Sequence, residues 1–168
     1  MIKYVVPIFL SFALIISCAS KEERLQNYKD YVQRISVELK FEDGFDIIKV
    51  IGERRSMARC YYLNDELVFI NENMTIGNRG TTSARYFFKE GKLINYSEKT
   101  ILMKDDSLNI NSKTLIDLDV YLDDKSILES EYSIAGVQKP FDEANVDRLI
   151  DHAKILQELS DINKPVKK

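Results

Sequence analysis

Tyr86-Phe87-Phe88-Lys89-Glu90-Gly91-Lys92-Leu93 decides the fold. Apolar residues end one strand, four polar residues turn the chain, and an aliphatic residue opens the next strand. Glu90-Gly91 supplies the turn chemistry. The same design recurs at Tyr62-Leu63-Asn64-Asp65-Glu66-Leu67 and at Leu122-Asp123-Asp124-Lys125-Ser126-Ile127. Three successive hairpins predict an antiparallel meander of about six or seven strands. Leu67, Leu93 and Ile127 lie 26 and then 34 positions apart, an irregular period with too few units for a propeller or solenoid.

Outward from the turns, two-residue alternation with β-branched and aromatic residues predicts strands over 45–52, 57–63, 67–71, 84–89, 93–102, 115–122 and 127–134. Residues 71–83, rich in Asn, Gly, Thr and Ser, read as a long loop, and 103–113 are polar without a clear period. Before the sheet, Leu25, Tyr28, Val32 and Ile35 follow a helical stripe over about 22–39, with Ser20 as cap and Glu22 and Glu23 favouring the helix dipole. After it, Asp142 is placed to cap a second helix whose stripe is Val146, Leu149, Ile150, Ala153, Leu156 and Leu159. The expected fold class is α+β: an antiparallel meander with an N-terminal and a C-terminal helix packed on it. On a pleated strand Tyr61 and Tyr62 must face opposite sides, as must Phe87 and its neighbours Tyr86 and Phe88. Either both faces of the sheet are covered or one shows an aromatic strip.

The chain has 168 residues, 45% hydrophobic and 30% charged, with net charge −3. These are the values of one globular domain. The charge balance does not favour nucleic acid as a partner. One histidine and two cysteines leave no Cys/His zinc set and no disulfide scaffold.

The first residues read as an address. After Lys3 the chain is almost wholly apolar from Tyr4 to Ile16, too short to span a bilayer, which takes about twenty residues, and it reads as a secretory signal. Ile15-Ile16-Ser17-Cys18 resembles a bacterial lipobox. The resemblance implies cleavage before Cys18 and lipidation of its thiol, and acyl chains at about 0.8 kcal/mol per buried CH₂ would anchor the protein stably. Ala19 follows the cysteine, with no aspartate to retain the product at an inner membrane, which points to an outer membrane where the cell has one. The expected division is a signal peptide 1–17, a lipidated cysteine and tether 18–24, a domain 25–162 and a basic tail 163–168. The wording of the hairpins, Tyr86–Leu93 above all, is similar to that of many small bacterial envelope lipoproteins. This implies an envelope setting and no particular activity.

With Cys18 lipidated, Cys60 has no partner within the chain and reads as a small buried hydrophobe. His152, 92 positions away on the second helix, offers it no activating base and reads as a surface residue beside the apolar stripe. Asp105-Asp106-Ser107-Leu108-Asn109-Ile110-Asn111 spaces oxygens as a calcium loop does, but Ile110 and Ile116 stand where glycine and glutamate belong, so it reads as a solvated turn. Arg54-Arg55 reads as a solvated turn as well. Residues 76–104 carry net +4 and residues 105–131 net −6, as neighbouring strands that pair their charges would.

No catalytic set, metal site or cofactor motif emerges. The leading expectation is a non-enzymatic binding or assembly module held at the membrane through Cys18, with an envelope protein or a glycan as partner. The aromatic residues Tyr61 and Phe87 are candidate contacts on the sheet. The alternative is an inhibitor or immunity-type protein acting through the 71–83 loop, with Arg79 and Arg85 as its handles.

Overall fold

A computed structural model describes residues 20–39, 44–103 and 113–165. The lipobox, Cys18 and residues 105–111 lie outside them. The first helix, α1, is Lys21–Glu38. Ser20 Oγ accepts the Glu23 N–H at 3.1 Å, and Glu22 and Glu23 occupy the first turn, as the sequence predicts.

Eight strands follow: β1 Phe45–Ile51, β2 Arg54–Leu63, β3 Glu66–Ile76, β4 Gly80–Lys89, β5 Lys92–Met103, β6 Lys113–Asp123, β7 Ser126–Ile134 and β8 Val137–Gln138. They form one antiparallel sheet in the order β1 to β8, so every strand pairs with its sequence neighbours. The meander is confirmed, and the additional strand is the two-residue β8. It forms because Ala135 and Gly136, both at positive φ, turn the chain back.

Residues 71–83 are not a long loop. β3 runs to Ile76, β4 starts at Gly80, and the connection is only residues 77–79. The register pairs Asn71 with Arg85, Asn73 with Ser83 and Thr75 with Thr81. The polar Asn73, Thr75, Thr81 and Ser83 share the exposed side of this hairpin, where side chains need no apolar partner. Gly80 is required by close packing: a Cβ there would sit 2.3 Å from the Ile101 carbonyl oxygen. Arg54 and Arg55 likewise belong to a strand, the start of β2.

Each of the three predicted tight turns is followed by a β-bulge. The register shifts between Tyr61 and Tyr62, between Phe87 and Phe88, and between Tyr121 and Leu122. The unpaired extra residues are Val68, Ile94 and Leu128, all buried. Val68 and Ile94 join Ile35 of α1 and Phe87 in one apolar cluster, while their neighbours Leu67 and Leu93 face the opposite side. A bulge lets two consecutive residues share a face, and here it adds an aliphatic side chain beneath α1. Tyr31 OH closes the arrangement by donating to the Phe88 carbonyl at 2.8 Å.

The second helix, α2, is Ala144–Asn163. Glu143 is its N-cap residue, and Asp142 contributes from one position earlier by accepting the Ala144 N–H at 3.0 Å. Val146, Ala153 and Leu156 are buried against the larger core, with Leu149, Ile150 and Leu159 packed beside them. Each fully buried valine or leucine is worth about 1.5–3 kcal/mol. The two helices cover opposite faces of the sheet, which explains the aromatic alternation. Phe87 is 3% exposed beneath α1. Tyr61 is half-buried and packs on Phe69 at 5.6 Å. The aromatic strip is therefore mostly core. Cys60 is fully buried and in no disulfide among the described residues, its Sγ 4.0 Å from the Ala58 carbonyl oxygen, and burial pushes the thiol up to about 12.

The charge asymmetry is absorbed as expected for neighbouring strands, with Lys99 3.8 Å from Asp117 and Lys92 2.8 Å from Asp124. α1 also contributes, pairing Arg24 with Asp123 and Lys29 with Glu129.

Candidate binding cleft between the sheet and the second helix

Cross-strand register aligns side chains in rows on the face that α2 covers. One row is Phe45, Cys60, Ile70, Tyr86, Tyr96 and Val120, and α2 packs down on it. In the next, Ala58, Glu72, Ala84, Glu98, Leu118 and Tyr132 stand side by side. The third has Lys49, Ser56, Met74, Thr82, Thr100 and Ile116. Over these two rows the first half of α2 and the segment Pro140–Asp142 overhang the sheet without filling the space. The result is an open cleft of about 810 Å³.

Glu72 is the centre of its inner wall. Only 2% of the residue is exposed, at a position flanked by Ala58 and Ala84. A carboxylate taken out of water costs several kcal/mol unless it is paired and hydrogen-bonded. Three donors converge on this one. Ser56 Oγ donates to Oε1, Tyr86 OH donates to Oε2 at 2.8 Å, and His152 Nε2 lies 2.9 Å from Oε2. Burial works to raise the Glu72 carboxyl. The hydrogen bonds from His152, Ser56 and Tyr86 outweigh it and hold the group below the ordinary glutamate range. Tyr86 moves the other way: burial, then the nearby Glu72 charge, push its phenol far above the ordinary tyrosine range. It therefore stays a donor.

Glu98 repeats the motif in the same row. Tyr96 OH donates to Oε2 and Thr100 Oγ1 to Oε1 at 2.6 Å, and Thr100 in turn lies 2.7 Å from Thr82 Oγ1. The Tyr86 and Tyr96 rings pack at 5.0 Å and tie the two carboxylate networks together. Both carboxylates thus have internal donors.

The cations lining the cleft do not have comparable partners. Lys49, Arg54 and Arg148 line it, and among the described residues none of them is in an ion pair. Arg148 donates only to the neutral Asn145 side chain. Met74, Ile116, Leu118, Leu149 and Phe141 supply apolar walls. Chemically this is a binding surface with unused hydrogen-bond donors and apolar sides. Among the described residues no three His, Cys, Asp or Glu side chains converge as metal ligands.

None of the four candidate contacts read from the sequence lines this cleft. Arg79 sits at the tip of the β3–β4 hairpin, 3.2 Å from Glu53. Arg85 lies on the α1 face, where its Nε donates to Ser97 Oγ at 3.0 Å. There it lines a polar groove of about 500 Å³ with Lys99, Asp117, Asp119 and Glu131. Tyr61 and Phe87 are also on the α1 face. His152 is no simple surface residue: its side chain is 39% exposed and it bonds the buried Glu72. One signal for the site was present. Ile70, Glu72 and Met74 share one phase of a strand, so a glutamate falls among inward positions.

Comparison with protein-family models, with curated proteins and with solved structures finds no match.

Proposed function

We propose that this chain is a lipid-anchored binding module of a bacterial envelope, non-enzymatic, with the cleft beneath α2 as its binding surface. Ile15-Ile16-Ser17-Cys18 supports the anchor. The observation that carries the binding reading is the cleft itself. Its volume falls in the range of ligand sites, roughly 300–1,000 Å³, and such sites combine apolar walls with a few placed polar groups. A chain that needed only a core at Glu72 would be served by an aliphatic residue in the row of Ala58 and Ala84. The inhibitor reading loses its main support, because 71–83 is a hairpin with a three-residue turn rather than a protruding loop.

A photoreactive amino acid placed at Met74 in the full chain tests the reading in intact cells, with the outward-facing Glu158 as control. The expected result is a discrete adduct from position 74 that is absent from position 158. Equal adducts from both positions, or none from position 74, would overturn it.

A further inference from the structure

Resting on the reading of the cleft as a binding surface, we propose that its ligand is a monomeric single-chain amphiphile with an anionic head, of the long-chain fatty-acid type. The polar groups in the cleft divide into satisfied acceptors and unused donors. Glu72 accepts from three groups and Glu98 from two. By contrast Lys49 and Arg54 bond to nothing among the described residues, and Arg148 bonds only to Asn145. A guanidinium offers five N–H donors in a fork that matches a carboxylate. Asp142 also lines the cleft, and its Oδ1 is taken by the Ala144 N–H, so the groups left without a charged partner are the three cations.

The register places the first two cations together. Lys49 pairs with Ser56, and Ile51 pairs with Arg54, at the open end of β1 and β2 on the face that α2 covers. Arg148 approaches the same cleft from the helix. Beyond this charged side the cleft continues between Met74, Ile116 and Leu118 on the sheet and Leu149 and Phe141 above them. A head held by cations beside an apolar channel suits an acyl chain with a terminal carboxylate. A cationic amphiphile would meet the unpaired arginines and find the Glu72, Glu98 and Asp142 carboxylates already bonded.

The test uses the full chain in a neutral detergent with a photoreactive palmitic acid analogue. Hexadecanol and hexadecylamine analogues of equal length serve as comparators. The expected result is labelling of the peptides that contain Met74 and Leu149 by the acid, and little by the alcohol or the amine. Arg54→Gln with Arg148→Gln should cut that labelling about tenfold or more, since a hydrogen bond to a charged group carries at least that factor. Both arginines are solvent-exposed, so the double variant should keep the parent circular dichroism and thermal midpoint. Equal labelling by all three heads, or indifference to the double variant, would overturn the anionic assignment and leave the cleft as a binding surface. No labelling by any analogue, while position 74 still yields a cellular adduct, would overturn the amphiphile alone. Loss of both signals would overturn the binding reading as well.

Discussion

Glu72 is the residue whose environment differs most from what its type requires. It is a carboxylate in a core row, stabilised in its charged form by three donors. Because its folded pKa lies below the unfolded value, the charged form contributes stability that is fully present above the unfolded value, about 4.3 for glutamate. That contribution is lost as pH falls through the lowered folded value. Glu72→Gln should therefore be destabilised near neutral pH, with the gap to the parent narrowing as pH falls below about 4. Glu72→Ala should cost about 3–5 kcal/mol at neutral pH, because three donors lose their acceptor. Urea denaturation of parent and variants from neutral to acid pH measures both. A gap that stays constant across the range would show that Glu72 acts by packing alone. Glu72 fell within the stretch read as a loop, so its inward phase was lost with the strand, although Ile70, Glu72 and Met74 alternate there. Its partners were not legible either: Ser56 lies on another strand and His152 is 80 positions away, and a single chain of letters does not show which helix residue lands over which strand.

At the scale of the element, the hairpins were the most readable part, since turn chemistry is local. The bulges were less visible, although the doublets Leu67-Val68, Leu93-Ile94 and Ile127-Leu128 repeat after every tight turn. Both members are buried or half-buried because both faces of the sheet are covered, and the bulge adds the second of them to the α1 face beside its next neighbour, as Val68 beside Phe69. The error at 71–83 has a related origin. Composition read Asn, Thr and Ser as loop, whereas the ladder hydrogen bonds of a long hairpin do not depend on apolar side chains. The turn between β4 and β5 supports a quantitative expectation. Glu90 sits at φ 53 and Gly91 at φ 73, both in the left-handed region. A Cβ at Gly91 would meet nothing closer than 3.9 Å, so strain rather than collision governs substitution. Gly91→Ala should destabilise by about 1–2 kcal/mol, and Glu90→Asn should stabilise by a few tenths to about 1 kcal/mol. Thermal melts of the two variants should move in opposite directions.

At the scale of the whole molecule, composition and turn spacing were enough for one α+β meander, while the two-sided placement of the helices emerged only from the tertiary structure. The α1 face gains polar anchors: Arg24 and Tyr28 both reach Asp123. The α2 face gains the cleft. Among the described residues no helix is long and apolar enough to cross a membrane. The proposed reading gives the membrane hold to Cys18. Cys18→Ala should abolish incorporation of labelled palmitate and move the chain out of the lipoprotein fraction on detergent phase partitioning. Retained label in that variant would remove the anchor from the proposal.

The meander also fixes an order of assembly. Each strand finds its partner next in the chain, so a polypeptide emerging from its N-terminus closes one hairpin after another without waiting for a distant segment, the arrangement that favours rapid folding. The helices keep a different schedule. α1 emerges first, yet its contacts with Asp123 lie 95 and 99 positions downstream. α2 emerges last of all. Until it arrives, Glu72 has Ser56 and Tyr86 from the neighbouring strands but not His152, and the cleft has a floor but no roof. The part of the molecule assigned to binding is thus completed in the final step, and a chain truncated before α2 would lose the roof of the site together with the buried Val146, Ala153 and Leu156.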